Sequence, residues 1–158
     1  MADLTVTITE AVTLNGSSRG STNTLTVTGV DDIYHRIITC PANSETRLVD
    51  FHSSVADATV SAMDVQYVKY IRVTNLDSSN SVTLNMQVDR GEDDTAADES
   101  ASVLLEAGKS FMLGSPHDGI AVSDANANMI TDLVDLESLV VQPASNVVRV
   151  EVFIASVV

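Results

Sequence analysis

Short runs in which apolar and polar residues strictly alternate constrain this chain more than any other feature. Leu4-Thr5-Val6-Thr7-Ile8-Thr9, Val82-Thr83-Leu84-Asn85-Met86-Gln87-Val88-Asp89 and Val148-Arg149-Val150-Glu151-Val152 all have this pattern. Successive side chains on a β-strand point to opposite faces, so each run predicts a strand with one buried and one solvated side. A helix would scatter the same apolar residues around its circumference.

Turn residues cut the rest of the chain into further pieces of strand length. Asn15-Gly16-Ser17 matches a glycosylation acceptor but reads as a tight turn, with Gly16 supplying positive φ, and Asn23 to Thr28 repeats the threonine alternation as a hairpin partner of the first run. Ile33 to Thr39, stopped by Pro41, and Thr46 to Phe51 are two more strands. Val68 to Asn75 and Ser81 to Asp89 are joined by Asp77-Ser78-Ser79-Asn80 and predict a hairpin, as do Ser102 to Glu106 and Ser110 to Gly114 around Ala107-Gly108-Lys109. Ile120 to Val122 follows the turn Ser115 to Gly119. In Asn126 to Leu139, Met129, Ile130, Leu133 and Val134 fit one helical face before the strand residues Leu139-Val140-Val141, which predicts one short helix. The closing run from Val148 to Ile154 is expected to pair within a sheet.

Nine or ten short strands with at most one short helix predict an all-β fold, an antiparallel β-sandwich of jelly-roll type. No repeat of fixed period is present, and 158 residues suit a single domain over 1–158. Apolar residues make up 44% of the chain, enough to fold; with no Trp and 4% aromatics, the core must be aliphatic. Against 8 Lys and Arg stand 22 Asp and Glu, a formal net charge of −14, which argues against nucleic acid and anionic membrane as partners. The start has neither a basic n-region nor an apolar h-region, and no apolar run has the length of a membrane span, so synthesis in a cytoplasm is expected.

The search for chemistry yields no catalytic, cofactor or metal residue. Gly108-Lys109-Ser110 has the end of a phosphate-binding loop, but Val103 stands where that loop needs glycine. Ser115, His117 and Asp118 are neighbours on a turn and point to different sides, so they form no relay. His35, His52 and His117 lack the companions of a zinc site, and Cys40, alone, reads as a small buried hydrophobe. The acidic segment from Glu92 to Glu99 lacks the ligand spacing of a calcium loop and reads as solvated charge. Arg36, Arg47, Arg72 and Arg149 lie on expected strands, where a guanidinium can bridge carboxylates within a sheet or between subunits.

Three stretches carry a resemblance: Tyr70 to Leu84, Val103 to Leu113 with its glycine turn and Ser-Phe, and the closing Val150-Glu151-Val152-Phe153-Ile154-Ala155. From about Tyr70 onward the chain resembles small β-sandwich structural proteins of tailed bacteriophages. The resemblance implies a non-enzymatic virion component without cofactor or metal, a decoration (cement) protein on the capsid exterior ahead of a tail-associated adaptor or fibre piece. Its implied partners are the major capsid protein or another virion protein and further copies of itself, with a trimer favoured because a repeated lattice rewards symmetric binding. The rival class is a carbohydrate-binding or adhesin-like module, which would need Tyr34, Phe51, Tyr67, Tyr70, Phe111 and Phe153 to converge on one surface.

Overall fold

The computed structural model describes residues 2–52, 62–88, 99–114, 121–122 and 134–158. These hold fourteen strands and a single 3-10 turn, Val65–Tyr67. In chain order the strands are β1 (Ala2–Thr9), β2 (Thr13–Leu14), β3 (Ser17–Ser18), β4 (Thr22–Val30), β5 (Asp32–Cys40), β6 (Thr46–His52), β7 (Ala62–Asp64), β8 (Val68–Asn75), β9 (Val82–Val88), β10 (Glu99–Leu105), β11 (Ser110–Gly114), β12 (Ala121–Val122), β13 (Val134–Pro143) and β14 (Val148–Ser156). The expected all-β fold is what the chain adopts.

Two sheets form the body. One has the order β5-β14-β8-β11 and the other β6-β13-β9-β10, with β7 added in parallel at the edge of β6 and β12 paired to β13. The first strand of the set pairs with the last (β5 with β14), the second with the second last (β6 with β13), then β8 with β11 and β9 with β10, all antiparallel. The body is therefore one long ribbon of paired strands rolled up, and rolling brings β14 against β8 and β13 against β9. That is the double Greek-key wrapping of a jelly roll.

The wrapping overturns two expected hairpins. β8 and β9 do not pair, and neither do β10 and β11: each couple is split between the two sheets. The turns Asp77 to Asn80 and Ala107 to Lys109 are corners where the chain crosses from one sheet to the other. Local sequence chooses a turn residue by φ and side-chain hydrogen bonds, and those demands are the same whether the next strand lies beside the last or above it. Asp77 takes up backbone N–H groups of Ser79 and Asn80 at 2.8 and 2.7 Å, which closes its corner. These hydrogen bonds hold its carboxyl below the usual aspartate range. At the second corner Gly108 adopts φ +70°.

The expected short helix is also corrected where it can be seen. β13 begins at Val134, so that residue is in a strand, and Asn126 to Leu133 lie outside the described residues. Buried Leu136 and Leu139 flank a register shift between Leu136 and Ser138 opposite β9, and this bulge disturbs the period-two reading.

The alternating runs face the core as their pattern demands. Val148, Val150, Val152 and Ile154 of β14 are fully buried, as is Leu84 of β9, while Thr83 is exposed. They meet Ile71 and Val73 of β8, Leu48 and Phe51 of β6, and Leu139 and Val141 of β13 between the sheets. Burying a side chain of this size contributes about 1.5–3 kcal/mol. Cys40 is fully buried in the same core, and burial pushes its thiol pKa up. β14 is paired on both sides over nearly its whole length, which bears out the expectation for the closing run.

One buried polar residue pins the two sheets together. Asn75, at the end of β8 and fully buried, donates its amide to the carbonyls of Asn80 (2.8 Å) and Leu105 (3.1 Å) and accepts from the Asp77 N–H (2.9 Å). Both crossing corners are thus tied to one side chain.

Residues 2–30 form a single hairpin that belongs to neither sheet of the roll. β1 pairs with β4 and β2 with β3 in one continuous register, from Leu4↔Val27 through Ile8↔Asn23 to Leu14↔Ser17. At the tip Asn15 (φ 51°) and Gly16 (φ 77°) make the two-residue turn with positive φ at both positions that the sequence signalled.

Candidate functional site

The surface with most structure on it is the outer face of the β5-β14-β8-β11 sheet and the root of the hairpin lying over it. Leu4, Val6, Leu25, Val27 and Val30 of the hairpin pack on Tyr70, Phe153 and Ala155. The fit is close: a Cβ on Gly114 would stand 3.0 Å from a methyl of Leu25. Beyond Val6 the support ends. Every residue from Thr7 to Thr24 is exposed, so Ile8, Val12 and Leu14 sit at 44%, 53% and 59% exposure on a ribbon in water. Nine residues from Thr7 to the Asn15 turn reach roughly 25–30 Å at strand rise.

Between β1 and the sheet lies a groove of about 520 Å³ lined by residues 4–8 of β1 and by Tyr70, Arg72, Met112 and Phe153. A charged brace sits on the same sheet face. Glu151 on β14 lies between β5 and β8, and its two carboxylate oxygens take hydrogen bonds from His35 Nε2 (2.8 Å) and Arg72 Nη1 (2.7 Å). The Phe153 ring is shared by all the surrounding groups: His35 meets it edge-on at 5.7 Å, Tyr70 at 6.2 Å, and the Arg72 guanidinium lies 6.0 Å from its centroid. The hydrogen bonds from His35 and Arg72 pull the Glu151 pKa below the usual glutamate range. A carboxylate so engaged is ionised near neutrality and ties β14 to β5 and β8.

The sequence-derived residues divide accordingly. Arg72 bridges a carboxylate within the sheet and Arg47 pairs with Asp50 at 2.6 Å, while Arg36 lies 5.6 Å from the centroid of the Tyr34 ring. Arg149 lies on β14, and its carbonyl accepts the Leu76 N–H at 2.9 Å. His35 has a definite partner in Glu151, which the sequence reading missed. Outward positions 35, 72 and 151 are visible as such in the alternation, but their adjacency depends on the rolled topology. His52 ends β6; His117, Ser115, Asp118 and the acidic stretch from Glu92 to Asp98 lie outside the described residues, and Glu99 opens β10. Among the described residues no three His, Cys, Asp or Glu side chains gather as a metal site. Gly108-Lys109-Ser110 is a corner between strands, with the Lys109 N–H bonded to the Glu106 carbonyl.

The chain was compared with protein-family models, curated proteins and solved structures, and nothing in any of the three matches it. Function is therefore read from the surfaces themselves. The aromatic residues that a sugar-binding platform would have to gather are dispersed: Phe51 is buried in the core, Phe111 and Tyr34 pack against it, Tyr67 ends the 3-10 turn, and of the six Tyr70 and Phe153 meet. The opposite sheet has a smaller polar cleft of about 140 Å³ lined by Glu45, Thr83, Asn85, Gln87, Ser102 and Gln142. No helix among the described residues is long and apolar enough to cross a membrane.

Proposed function

We propose that this protein is a non-enzymatic structural component of a virus particle, a decoration protein that binds the outer surface of a phage head and stabilises its lattice. One observation carries the reading: a jelly-roll body holds out an N-terminal ribbon whose residues 7–24 are all exposed and include Ile8, Val12 and Leu14. An isolated two-stranded ribbon is at best marginally stable in water, so a long one with apolar side chains on it is a contact device in search of a surface. Jelly rolls recur in capsid and lectin domains, and the dispersed aromatics favour the first class here. Weak contacts gain avidity when identical copies bind a repeated lattice, which supports symmetric self-association on the head.

The test is a heat-release measurement on heads prepared without the chain and then mixed with the purified protein. Added protein is expected to raise the temperature at which the heads lose their contents and to sediment with them in a fixed ratio. Unchanged release, or protein that stays in the supernatant, would refute the head assignment. Sedimentation with tails in its place would move the protein to the tail.

A further inference from the structure

We propose that the two open edges of the N-terminal ribbon are the self-association surface, β1 of one copy pairing with β4 of the next. The proposal deepens the reading above by naming the contact between copies, and it rests on that reading only for its setting on a particle.

The observation is that both strands carry the same tetrapeptide, Leu4-Thr5-Val6-Thr7 and Leu25-Thr26-Val27-Thr28. Within the hairpin these segments already pair antiparallel, Leu4 opposite Val27, Thr5 opposite Thr26 and Val6 opposite Leu25. The chain therefore already matches these two side-chain sequences once, through the inner edges of the strands. The contact between copies uses the outer edges and can keep the same side chains opposite one another.

The direction of the backbone groups fits. Glu10 donates its N–H to Ser21 and Arg19 donates to Val12, both across the ribbon at 2.8–2.9 Å. In an antiparallel pair, residues with inward and outward hydrogen-bonding groups alternate. Counting from Glu10, the N–H and C=O of Ile8, Val6 and Leu4 turn inward to β4, and those of Thr5, Thr7 and Thr9 turn out to the open edge. On β4 the same count turns Thr24 and Thr26 outward.

These edges also lack the protection that natural edges carry. Lysine, proline, inward charges or extreme shortness keep most edges from pairing. β4 has no charged residue in nine and β1 has one, Asp3, in eight, whereas the open edge strand β5 carries Asp32, His35 and Arg36, and β11 and β7 are five and three residues long. In a chain of net charge −14, residues 2–30 carry only Asp3, Glu10 and Arg19, so two copies can approach along the ribbon with little repulsion. The contact is head to tail, so repeated about a symmetry axis it closes into a ring in which no ribbon edge remains free; three copies would contribute six strands.

The experiment is sedimentation equilibrium of the purified full chain across a concentration series, with Thr7→Pro and Thr26→Pro beside it. Each proline removes an outward N–H and leaves the ribbon's internal hydrogen bonds in place. The wild type is expected to assemble, and each variant to weaken assembly at least tenfold with an unchanged circular dichroism spectrum. Amide exchange on the unmodified protein serves as the second measurement: the Thr5, Thr7, Thr24 and Thr26 amides should be protected in the assembly and lose protection on dilution. A wild type that stays monomeric, variants that assemble as tightly as it does, or those four amides exchanging freely within an assembly would each overturn the proposal. A monomer that still binds heads would overturn this contact and leave the decoration reading standing.

Discussion

Asn75 and Glu151 are the two residues on which the described structure places the heaviest demands. Replacing Asn75 with Ala leaves the buried Leu105 carbonyl and the half-buried Asn80 carbonyl without the amide they now accept from. An unsatisfied buried acceptor costs about 1–3 kcal/mol, so the urea midpoint of Asn75→Ala should fall by a corresponding amount at unchanged slope. Glu151 gives the fold a pH dependence with a definite sign. Its folded pKa lies below the unfolded one, so the unfolded chain binds the proton more readily and stability rises with pH. The contribution is complete above the ordinary glutamate pKa and is lost as the solution is acidified through the lower folded value. Urea unfolding from pH 7 down to pH 2 should show Glu151→Gln with a shallower acid loss of stability than the wild type. Neither role was readable beforehand. Asn75 closes the expected strand Val68 to Asn75, where nothing in the run marks it as a tie between two corners, and Glu151 acquires its partners only when His35 and Arg72, 116 and 79 residues away in sequence, become its neighbours. Cys40, by contrast, was readable as a buried hydrophobe, because a lone small apolar residue in a strand has little else to do.

Strands were easier to read than their partners. The alternation located β1, β4, β9 and β14 to within a few residues, since burial on one face writes its period directly into the sequence, and the loop at Pro41 located β5 and β6. Pairing failed at Asp77 to Asn80 and at Ala107 to Lys109, where a corner between sheets uses the same residues as a hairpin. It succeeded at Asn15-Gly16, whose two positive φ values fit only the tight hairpin turn. Gly20 in that ribbon has a different reason for being glycine: a Cβ there would fall 1.9 Å from the Glu10 carbonyl oxygen. Gly20→Ala should therefore distort the ribbon while sparing the body, seen as exchange of the Glu10 and Arg19 amides quickening with the Val150 and Val152 amides unchanged. The closing strand allows the opposite prediction. β14 lies between β5 and β8, so deleting the last ten residues removes most of a central strand, and the truncated chain should lose its cooperative unfolding transition.

The molecule as a whole is a rolled ribbon with an aliphatic core and a second, unrolled ribbon held against its outer face. The body is stable by burial: Ile154→Ala should cost about 2–5 kcal/mol in denaturant unfolding, the range for emptying a packed aliphatic site. The unrolled ribbon has no such support beyond Val6, and its exposed apolar side chains and open edges are where the proposed contacts would be made. A sequence without reactive constellations, a brace in which both carboxylate oxygens are engaged, and a projecting arm together motivate a role exerted through contact on a particle. Image reconstruction of heads carrying the bound protein tests that role most directly. The account predicts jelly-roll density repeated at equivalent positions on the outer surface, with ribbon density joining neighbouring copies. Heads with smooth surfaces, or with the protein scattered at random over them, would contradict it.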